Sequence, residues 1–486
     1  MVSGIFLGNY NKRTLIKGIA YPFFINIARL SGLGYGVFFT IVFIVSCVYF
    51  TFSLKKIIKN NTLLILILIL LLFNPISYSS DLFQRLYRNC LSYIELLFFL
   101  GTVINIIASK KNNILNYIFL GIIVSIMFLT KEDTIWAKLI LILIIILKLY
   151  KNLSIKNVLI NLIPVLVIVL NLNIMSYINY KNYNIYTYNE LTDSYFKDAY
   201  VKILQIKDNE KIEQVAIPKS TFYKLAENSK VFDFSKEEID RIFKLYPTKN
   251  GEIINSNIIW IFRSIIYEKY NFKDGKQANE YFYKLSKELD ELFKEGKLEK
   301  EFAFSSVFMN PPSINDIKQL PKNLIKAIIY TSTYKNIRTF PNEKMKKVFA
   351  WDDIVDAYKM NYYNSHNIAN IIEENILINE IIRQIYKFFT IVFSIVSLII
   401  YVKNIRTKDT LNMLLHIVLF IYLIVLCGVT YTHTTGFDAI RYCYLGNIYI
   451  LQTIFIMLNL YRITKKNSVK LIESGAKNDF SNNSSI

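Results

Sequence analysis

The clearest candidates for chemistry lie in the segment FLTKEDTIW, residues 128–136, where three charged side chains separate two apolar runs. A carboxylate of Glu132 or Asp133 could take the proton of an acceptor hydroxyl or hold a sugar hydroxyl, with Lys131 as a neighbouring cation. Adjacent side chains point in different directions, so the spacing alone does not make Glu132 and Asp133 an acid–base pair. The alternative is a solvated turn between two short helices.

Arginines near the ends of other apolar runs are candidates for binding phosphate. Arg441 lies in THTTGFDAIRY, three residues after Asp438, and Arg85 and Arg88 precede the third apolar run. The planar guanidinium matches the geometry of a phosphate group. The alternative is that these side chains only anchor helix ends at the membrane interface. His433 and Asp438 together lack the further ligands that a metal site needs, so we expect no metal site.

Glu95 lies in SYIELLFFL, about one helical turn inside an apolar run. A carboxylate in that position costs free energy to desolvate, so it is usually paired or functional. One interpretation is a structural ion pair between Glu95 and a neighbouring arginine, Arg88 or Arg85. The other is that Glu95 lines a polar cavity that opens to the outside and takes part in substrate binding.

The elements that must position these residues are membrane helices. Hydrophobic residues make up 53% of the 486 residues, and the mean hydropathy is +0.31, which exceeds the usual values for soluble proteins. Several apolar runs reach the roughly 20 residues that cross about 30 Å of hydrocarbon. The sequence therefore predicts an all-α polytopic membrane protein. We place its nine transmembrane helices at 36–54, 62–77, 91–109, 114–130, 135–149, 157–175, 386–402, 411–430 and 442–461.

The net charge of +20 is explained best by topology. Lysine and arginine gather in cytoplasmic loops of membrane proteins, and with nine spans the basic connections all lie on one side. These residues are Lys55, Lys56, Lys59, Lys110, Lys111, Lys148, Lys151, Lys156, Lys403, Arg406, Lys408, Arg462, Lys465, Lys466 and Lys470. The sequence contains no compact basic module, so the predicted partner is the lipid bilayer and not nucleic acid.

The opposite side then holds every candidate residue named above. It also holds a polar insert of about 210 residues. We predict five regions: an outer-face juxtamembrane segment (1–35), helices one to six (36–175), an extracytoplasmic domain (176–385), helices seven to nine (386–461) and a cytoplasmic, partly disordered tail (462–486).

The insert has the patterns of a mostly helical folded domain. Ser235 and Glu238 have the spacing of a capping box at the start of a helix, and 255–270 is predicted to be a helix with an aromatic face. In 274–296, apolar residues recur every three or four positions up to Gly296, which favours an amphipathic helix with a glycine stop. We expect the aromatic side chains to form a core; the alternative is contact with a glycan.

The arrangement resembles the multi-span glycosyltransferases of the C superfamily. The segment GNYNKRTLIKGIAYPFFINIARLSGL resembles their first outer loop and its membrane-parallel helix. FLTKEDTIW is similar to a polar outer turn of that class, and GFDAIRYCYLGNIYILQ resembles the approach to a late span. The resemblance covers 8–175 and 386–461 loosely. It implies a polyprenyl-phosphate-linked sugar as donor, an outward-facing site and a first-loop carboxylate as general base. Separately, we expect the chain to be integral to a bacterial cytoplasmic membrane.

The chain departs from this class at the general base, because the first acidic residue is Asp81 and 1–35 contains none. One explanation is a missing leading helix that carries the base; the other is that Glu132 or Asp133 replaces it. Three functions follow: sugar transfer from a polyprenyl-phosphate donor, non-catalytic glycan binding or envelope assembly, and transport. The lack of an inverted repeat speaks against transport. The sequence identifies no cofactor, donor sugar or acceptor.

Overall fold

The computed structural model describes residues 10–11, 14–33, 35–78, 88–109, 112–132, 134–151, 153–208, 212, 214–246, 250–308, 310–335, 337 and 366–482. Over these residues the regular structure is helical, apart from one antiparallel bridge between Ile206 and Lys300. The described helices, α1 to α16 in chain order, are Ala20–Leu30, Tyr35–Leu54, Asn61–Leu72, Asn89–Ile107, Ile114–Thr130, Ile135–Lys151, Ile155–Tyr183, Tyr195–Leu204, Lys219–Asn228, Lys236–Leu245, Asn255–Tyr270, Gly275–Lys294, Ile314–Ser332, His366–Lys403, Thr410–Thr435 and Tyr442–Asn482.

Six of the described helices are long and apolar enough to cross a membrane, which makes this chain a helical membrane protein. They are α2, α4, α7, the Leu377–Lys403 part of α14, α15 and the Tyr442–Lys465 part of α16. The last helix continues to Asn482, through much of the tail that the sequence predicts to be partly disordered.

The remaining three predicted spans are helices, but the structure does not confirm that they cross. With 12 residues, α3 is about 18 Å long, shorter than the roughly 30 Å of hydrocarbon. Both α5 and α6 have 17 residues, at the lower limit for a crossing. Nine spans are therefore not confirmed, and the sidedness derived from that number stays a prediction.

The chain packs as two compact units. The first comprises Met1–Leu30, Tyr117–Ile328 and Leu426–Tyr444, and the second comprises Ser31–Asn116, Ile329–Val425 and Leu445–Ile486. The insert up to Ile328 and the residues 131–134 belong to the first unit, whereas the rest of the insert and most of the long apolar helices belong to the second.

In the second unit, α4 is the most enclosed helix, with 89% of its apolar window buried by protein. Its close approach to α2 requires Gly101, because a Cβ there would lie 2.7 Å from the ring of Tyr49. The Tyr49 hydroxyl also lies 3.0 Å from the Thr102 hydroxyl. Small residues and such polar pairs are the usual means of holding helices together in a bilayer.

In the first unit, the insert follows the pattern that the sequence predicts. Ser235 and Glu238 form the capping box at the start of α10, and α11 spans the predicted 255–270. In α12 the predicted apolar face is buried, and the helix is followed by Gly296 at φ +71°.

The aromatic residues of the insert form its core, as predicted. The ring of Phe262 lies 5.8–6.4 Å from the rings of four other buried aromatic residues. These are Phe196, Tyr200, Phe222 and Phe232. These aromatic contacts pack α8, α9 and α11 against one another.

Candidate functional site

The residues 131–134, which we call the KEDT turn, follow directly after α5. The Lys131 amide donates to the Met127 carbonyl at 3.0 Å, which closes the last turn of the helix. The Thr134 hydroxyl donates to the Lys131 carbonyl at 3.0 Å and so ties the two ends of the turn together. The predicted catalytic residue Asp133 lies outside the described residues, and Glu132 is half-buried.

Glu132 is held by the insert. The Asn189 amide donates to Glu132 Oε1 at 3.3 Å, and Asn189 itself is 1% exposed. The Asn189 Oδ1 accepts from the Leu191 amide at 2.8 Å, which fixes the orientation of the side chain. The insert therefore contributes a hydrogen bond to the Glu132 carboxylate, a contact that the local sequence around 132 does not reveal.

A buried ion pair supports the segment that carries Asn189. Glu190 accepts two hydrogen bonds from the Arg263 guanidinium, from Nε at 2.9 Å and from a terminal nitrogen at 2.5 Å. Their side chains are 3% and 1% exposed. The Tyr10 hydroxyl donates to the same carboxyl group at 3.1 Å. Burial, together with the negative charge of Glu190, raises the pKa of Tyr10 well above its ordinary value.

The N-terminal segment packs tightly against the helix that leads into the KEDT turn. A Cβ on Gly18 would lie 1.9 Å from the Leu129 carbonyl oxygen, so the approach of the two backbones requires glycine. The Leu15 carbonyl accepts from the Glu190 amide at 3.0 Å. Segments 14–18 and 187–194 therefore meet beside the turn.

The start of α16 lies on another side of the KEDT turn. The Lys131 ammonium lies 5.7 Å from the centre of the Tyr444 ring, in the range of a cation–π contact. Three residues before Tyr444, Arg441 donates to Asp438 Oδ2 at 3.0 Å. Burial opposes the charge of Arg441, but the hydrogen bond that it donates to Asp438, together with the negative charge of Asp438, raises the arginine pKa above its ordinary value.

His433 extends this set of polar side chains towards α13. Its Nδ1 lies 3.2 Å from Asp438 Oδ1, and its Nε2 lies 3.2 Å from the Lys326 ammonium. An ammonium group can only donate, so Nε2 accepts from Lys326, while the Ile440 amide lies 3.4 Å from Nδ1. In the described part of the chain, no group of three or more His, Cys, Asp or Glu residues could hold a metal ion.

These contacts form a continuous series from Lys326 through His433, Asp438 and Arg441 to the neighbourhood of Lys131. We call Lys131, Lys326 and Arg441 the cation cluster. Arg441 directly precedes the first residue of α16, where the positive end of a helix dipole favours an anion. Its side chain is 59% exposed, so its guanidinium is accessible to a ligand while Asp438 holds it.

The other predicted binding residues belong to the second unit or lie outside the described residues. Arg88 precedes α4 and is half-buried, and Glu95 is 4% exposed inside α4; both belong to the second unit. Seven residues apart, they lie on the same face of the helix. Both earlier interpretations of Glu95, a structural ion pair and a substrate-binding group, stay predictions. Arg85 lies outside the described residues.

Sequence reasoning missed Asn189, Lys326 and Tyr444. Each is far along the chain from the residue that it contacts, and although Tyr444 lies in the segment GFDAIRYCYLGNIYILQ, no local signal linked it to Lys131. Comparison with protein family models, curated proteins and solved structures finds no match to the chain. What can be said of its function therefore follows from its own residues.

Proposed function

We propose that this protein binds a polyprenyl-phosphate-linked sugar at the outer face of the membrane and transfers the sugar to an acceptor hydroxyl. The observation that supports this most directly is the cation cluster, with Lys131 after the end of α5, Lys326 on α13 and Arg441 before the start of α16. A lipid whose chain lies among the membrane helices would place its phosphate near the ends of those helices.

The cluster has the chemistry that a phosphate monoester or diester needs. Arg441 offers several donors in a planar fork, and Lys131 and Lys326 supply further positive charge. Hydrogen bonds between such cations and phosphate oxygens are charge-assisted and stronger than those between neutral groups. Asp438 restricts the rotamers of Arg441 before a ligand arrives, so less side-chain conformational entropy is lost when the ligand binds.

In the proposed reaction, the acceptor oxygen forms a bond to the anomeric carbon of the donor sugar. The bond between that carbon and the phosphate oxygen breaks, and polyprenyl phosphate leaves with the electron pair. The proton of the acceptor hydroxyl passes to the Glu132 carboxylate, which acts as general base. Asn189 is a positioning residue, since it holds Glu132 without touching the reacting atoms.

The orientation towards the outer face is also part of the proposal. It is supported by the distribution of lysine and arginine, which are concentrated in the short connections and in the segment after the last apolar run. By the positive-inside rule those connections are cytoplasmic.

A second candidate function is non-catalytic binding of a lipid-linked glycan. The observation that favours it is the absence of any Asp or Glu in residues 1–35, where the resembled enzyme class carries its base. The cation cluster would then hold the phosphate of a glycan lipid without cleaving it. Both candidates require phosphate binding, and only the first requires Glu132.

The test uses the full chain in lipid nanodiscs, with native mass spectrometry to measure binding of a long-chain polyprenyl phosphate and of the matching polyprenol. We expect the phosphate to bind and the polyprenol to bind far more weakly. Arg441→Gln should weaken phosphate binding about tenfold or more, because a charge-assisted hydrogen bond contributes about 1.5–3 kcal/mol. The matched control is Arg241→Gln, since Arg241 is an exposed arginine on α10 of the same unit.

Equal binding of the phosphate and the alcohol would overturn the proposal in both its forms. So would equal losses in Arg441→Gln and Arg241→Gln. Phosphate binding that depends on Arg441, without any release of sugar from a labelled donor, would leave the non-catalytic candidate and exclude transfer.

A further inference from the structure

The helix α13 has an apolar face that the protein leaves uncovered. Its exposed apolar side chains recur every three or four positions between residues 314 and 328, and the four isoleucines among them are 38% to 76% exposed. They are Ile314, Ile317, Pro321, Ile325 and Ile328, which we call the apolar stripe. At 3.6 residues per turn, this spacing places all five on one side of the helix. A contiguous exposed apolar surface of this kind marks a contact with a membrane or with another protein.

A row of lysines runs beside the apolar stripe on the same helix. Lys318, Lys322 and Lys326 recur every four residues, and all three are exposed. The lysine row is rotated by about 100° from the apolar stripe around the helix axis, so the two lie next to each other along the helix. Within the described part of the chain, neither Lys318 nor Lys322 forms an ion pair with a carboxylate. An apolar face flanked by lysines is the pattern of a helix that lies in a membrane interface.

The protein-facing side of α13 is attached to the end of a membrane helix. Asn323 donates to Thr434 Oγ1 at 2.9 Å, and the Lys326 ammonium lies 3.2 Å from His433 Nε2. Thr434 and His433 lie in the last turn of α15, one of the six helices long and apolar enough to cross a membrane. All four residues belong to the first unit. Because a helix that crosses the bilayer ends near its surface, these contacts place α13 near that surface.

Aromatic side chains are found near the same end of α15. The ring of Tyr431, one turn before the end of the helix, lies 5.7 Å from the ring of Phe304. The Phe304 ring lies 5.1 Å from that of Phe302, which is 69% exposed. Tyrosine is enriched where membrane proteins pass from hydrocarbon to water. These contacts therefore support the assignment of this level to the membrane interface.

The composition of α13 favours a helix that lies on the bilayer over one that crosses it. It has 19 residues, but it is not among the six helices apolar enough to cross. We propose that α13 lies in the membrane interface, with its apolar stripe among the acyl chains and with Lys318 and Lys322 bound to the anionic headgroups of acidic phospholipids. The long lysine stems can extend along the apolar face while their ammonium groups reach the headgroups. The proposal concerns the ordinary phospholipids of the bilayer, so it does not depend on polyprenyl phosphate or on sugar transfer.

The first experiment tests the depth of the apolar stripe, using the full chain in phospholipid nanodiscs. Ile317→Trp introduces a fluorescent side chain on the stripe, and the wild-type chain with its three tryptophans supplies the baseline. We expect phospholipids with brominated acyl chains to quench the fluorescence that this variant adds, because bromine quenches tryptophan on contact. The matched control is Tyr283→Trp, at an exposed position of α12 beside the exposed Lys284, where we expect no added quenching. Ile325→Trp, at a second exposed position of the stripe, gives an independent measurement.

The second experiment tests the class of headgroup, using nanodiscs with equal amounts of phosphatidylcholine and phosphatidylglycerol. Bromine is placed on only one of the two lipids at a time. In Ile317→Trp we expect stronger quenching by brominated phosphatidylglycerol, because lysines near a membrane surface attract anionic lipids. Adding Lys318→Gln/Lys322→Gln should bring the ratio of the two quenching efficiencies towards one. The matched control is Lys284→Gln/Lys287→Gln, which removes the same charge from exposed positions of α12 and should leave the ratio unchanged.

The results that would overturn the proposal are specific to each part. If brominated lipid quenches Ile317→Trp and Ile325→Trp no more than Tyr283→Trp, the apolar stripe does not enter the bilayer. Protection of both stripe positions from acrylamide in the absence of quenching by lipid would show that protein covers the stripe. Equal quenching by the two brominated lipids, or the same ratio in the two double-lysine variants, would exclude the binding of acidic headgroups by Lys318 and Lys322.

Discussion

Arg263 and Glu190 are 73 positions apart in the chain and form an ion pair whose side chains are 1% and 3% exposed. The Arg263 guanidinium also lies 3.9 Å from the centre of the Tyr267 ring and donates to the Thr14 carbonyl at 3.1 Å. One cation thus joins the N-terminal segment, the segment before α8 and α11. Because Glu190 follows Asn189, the pair also fixes the residue that holds Glu132.

The first prediction concerns this ion pair. Arg263→Met leaves the Glu190 carboxylate buried without its main cation, which we expect to destabilise the protein by about 3–5 kcal/mol. The midpoint of thermal unfolding in detergent, followed by tryptophan fluorescence, measures the effect. Trp260 lies one helical turn away on α11 and reports locally.

The matched control is the exposed pair Lys207–Glu299, at 2.6 Å with side chains 53% and 71% exposed. Lys207→Met should leave the thermal midpoint nearly unchanged, because solvent screens such a pair. The double variant Arg263→Met/Glu190→Leu should recover much of the loss, since no charge is then left buried. A loss for Arg263→Met as small as that for Lys207→Met would contradict the structural role assigned to the buried pair.

The second prediction concerns Glu132 as general base. Glu132→Gln keeps the hydrogen bond partner of Asn189 and removes the group that takes the proton. We expect the release of labelled sugar from a polyprenyl-phosphate donor to fall by about 100-fold or more, with unchanged binding of polyprenyl phosphate. Glu291→Gln, at an exposed position of α12, is the control. Unchanged release in Glu132→Gln would rule out this residue as the base.

The third prediction concerns Gly18. A methyl group at this position would collide with the Leu129 backbone, which cannot move as a flexible side chain would. We expect Gly18→Ala to lower the thermal midpoint and to reduce any activity that depends on the KEDT turn. Gly428→Ala is the control, because a Cβ there meets nothing within 4 Å. It should be neutral or slightly stabilising, since alanine favours a helix more than glycine does. Similar behaviour of the two variants would show that segment 14–18 does not pack on α5.

The fourth prediction concerns pH. The Ser235 amide donates to the Glu238 carboxylate and lowers the pKa of Glu238 below its ordinary value. A lowered pKa means that the stabilisation is present above the ordinary pKa and is lost as the pH falls through the folded-state pKa. Glu238→Ala should therefore lower the thermal midpoint at pH 7 and have a smaller effect near roughly pH 3. Glu291→Ala, outside the cap, should show no such difference; a pH-independent cost of Glu238→Ala would contradict this account.

The fifth prediction concerns topology. Reporter fusions at Ile58, Leu153 and Ile405 should report the cytoplasm, because lysines and arginines surround these positions. Fusions at Gln84, Glu280 and Thr435 should report the exterior. A cytoplasmic signal at Glu280 would place the insert inside the cell and would remove the outer-face part of the proposed function.

The elements that the sequence predicted well have strong local signals. The capping box at Ser235, the 3–4 spacing in α12 and the glycine after its end all depend on residues within about one or two turns of each other. Nine helices occur where apolar runs predicted spans, but α3 is shorter than the hydrocarbon layer and α5 and α6 are at the lower limit of length, which leaves the number of crossings open. Hydropathy measures how strongly a segment prefers apolar surroundings. A protein interior satisfies that preference as well as lipid does, so hydropathy does not distinguish a buried helix from one that crosses the bilayer.

The sequence by itself determined that this chain is a helical membrane protein with a folded, aromatic-rich helical insert, because composition and periodicity carry that information locally. It also singled out Lys131, Glu132, Asp438 and Arg441, since charges beside apolar runs are conspicuous. Only the tertiary structure decided that Asn189 holds Glu132, that Lys326 joins His433, and that Asn323 joins Thr434. These contacts join positions far apart in the chain, and they depend on packing, which no local pattern of residue types encodes.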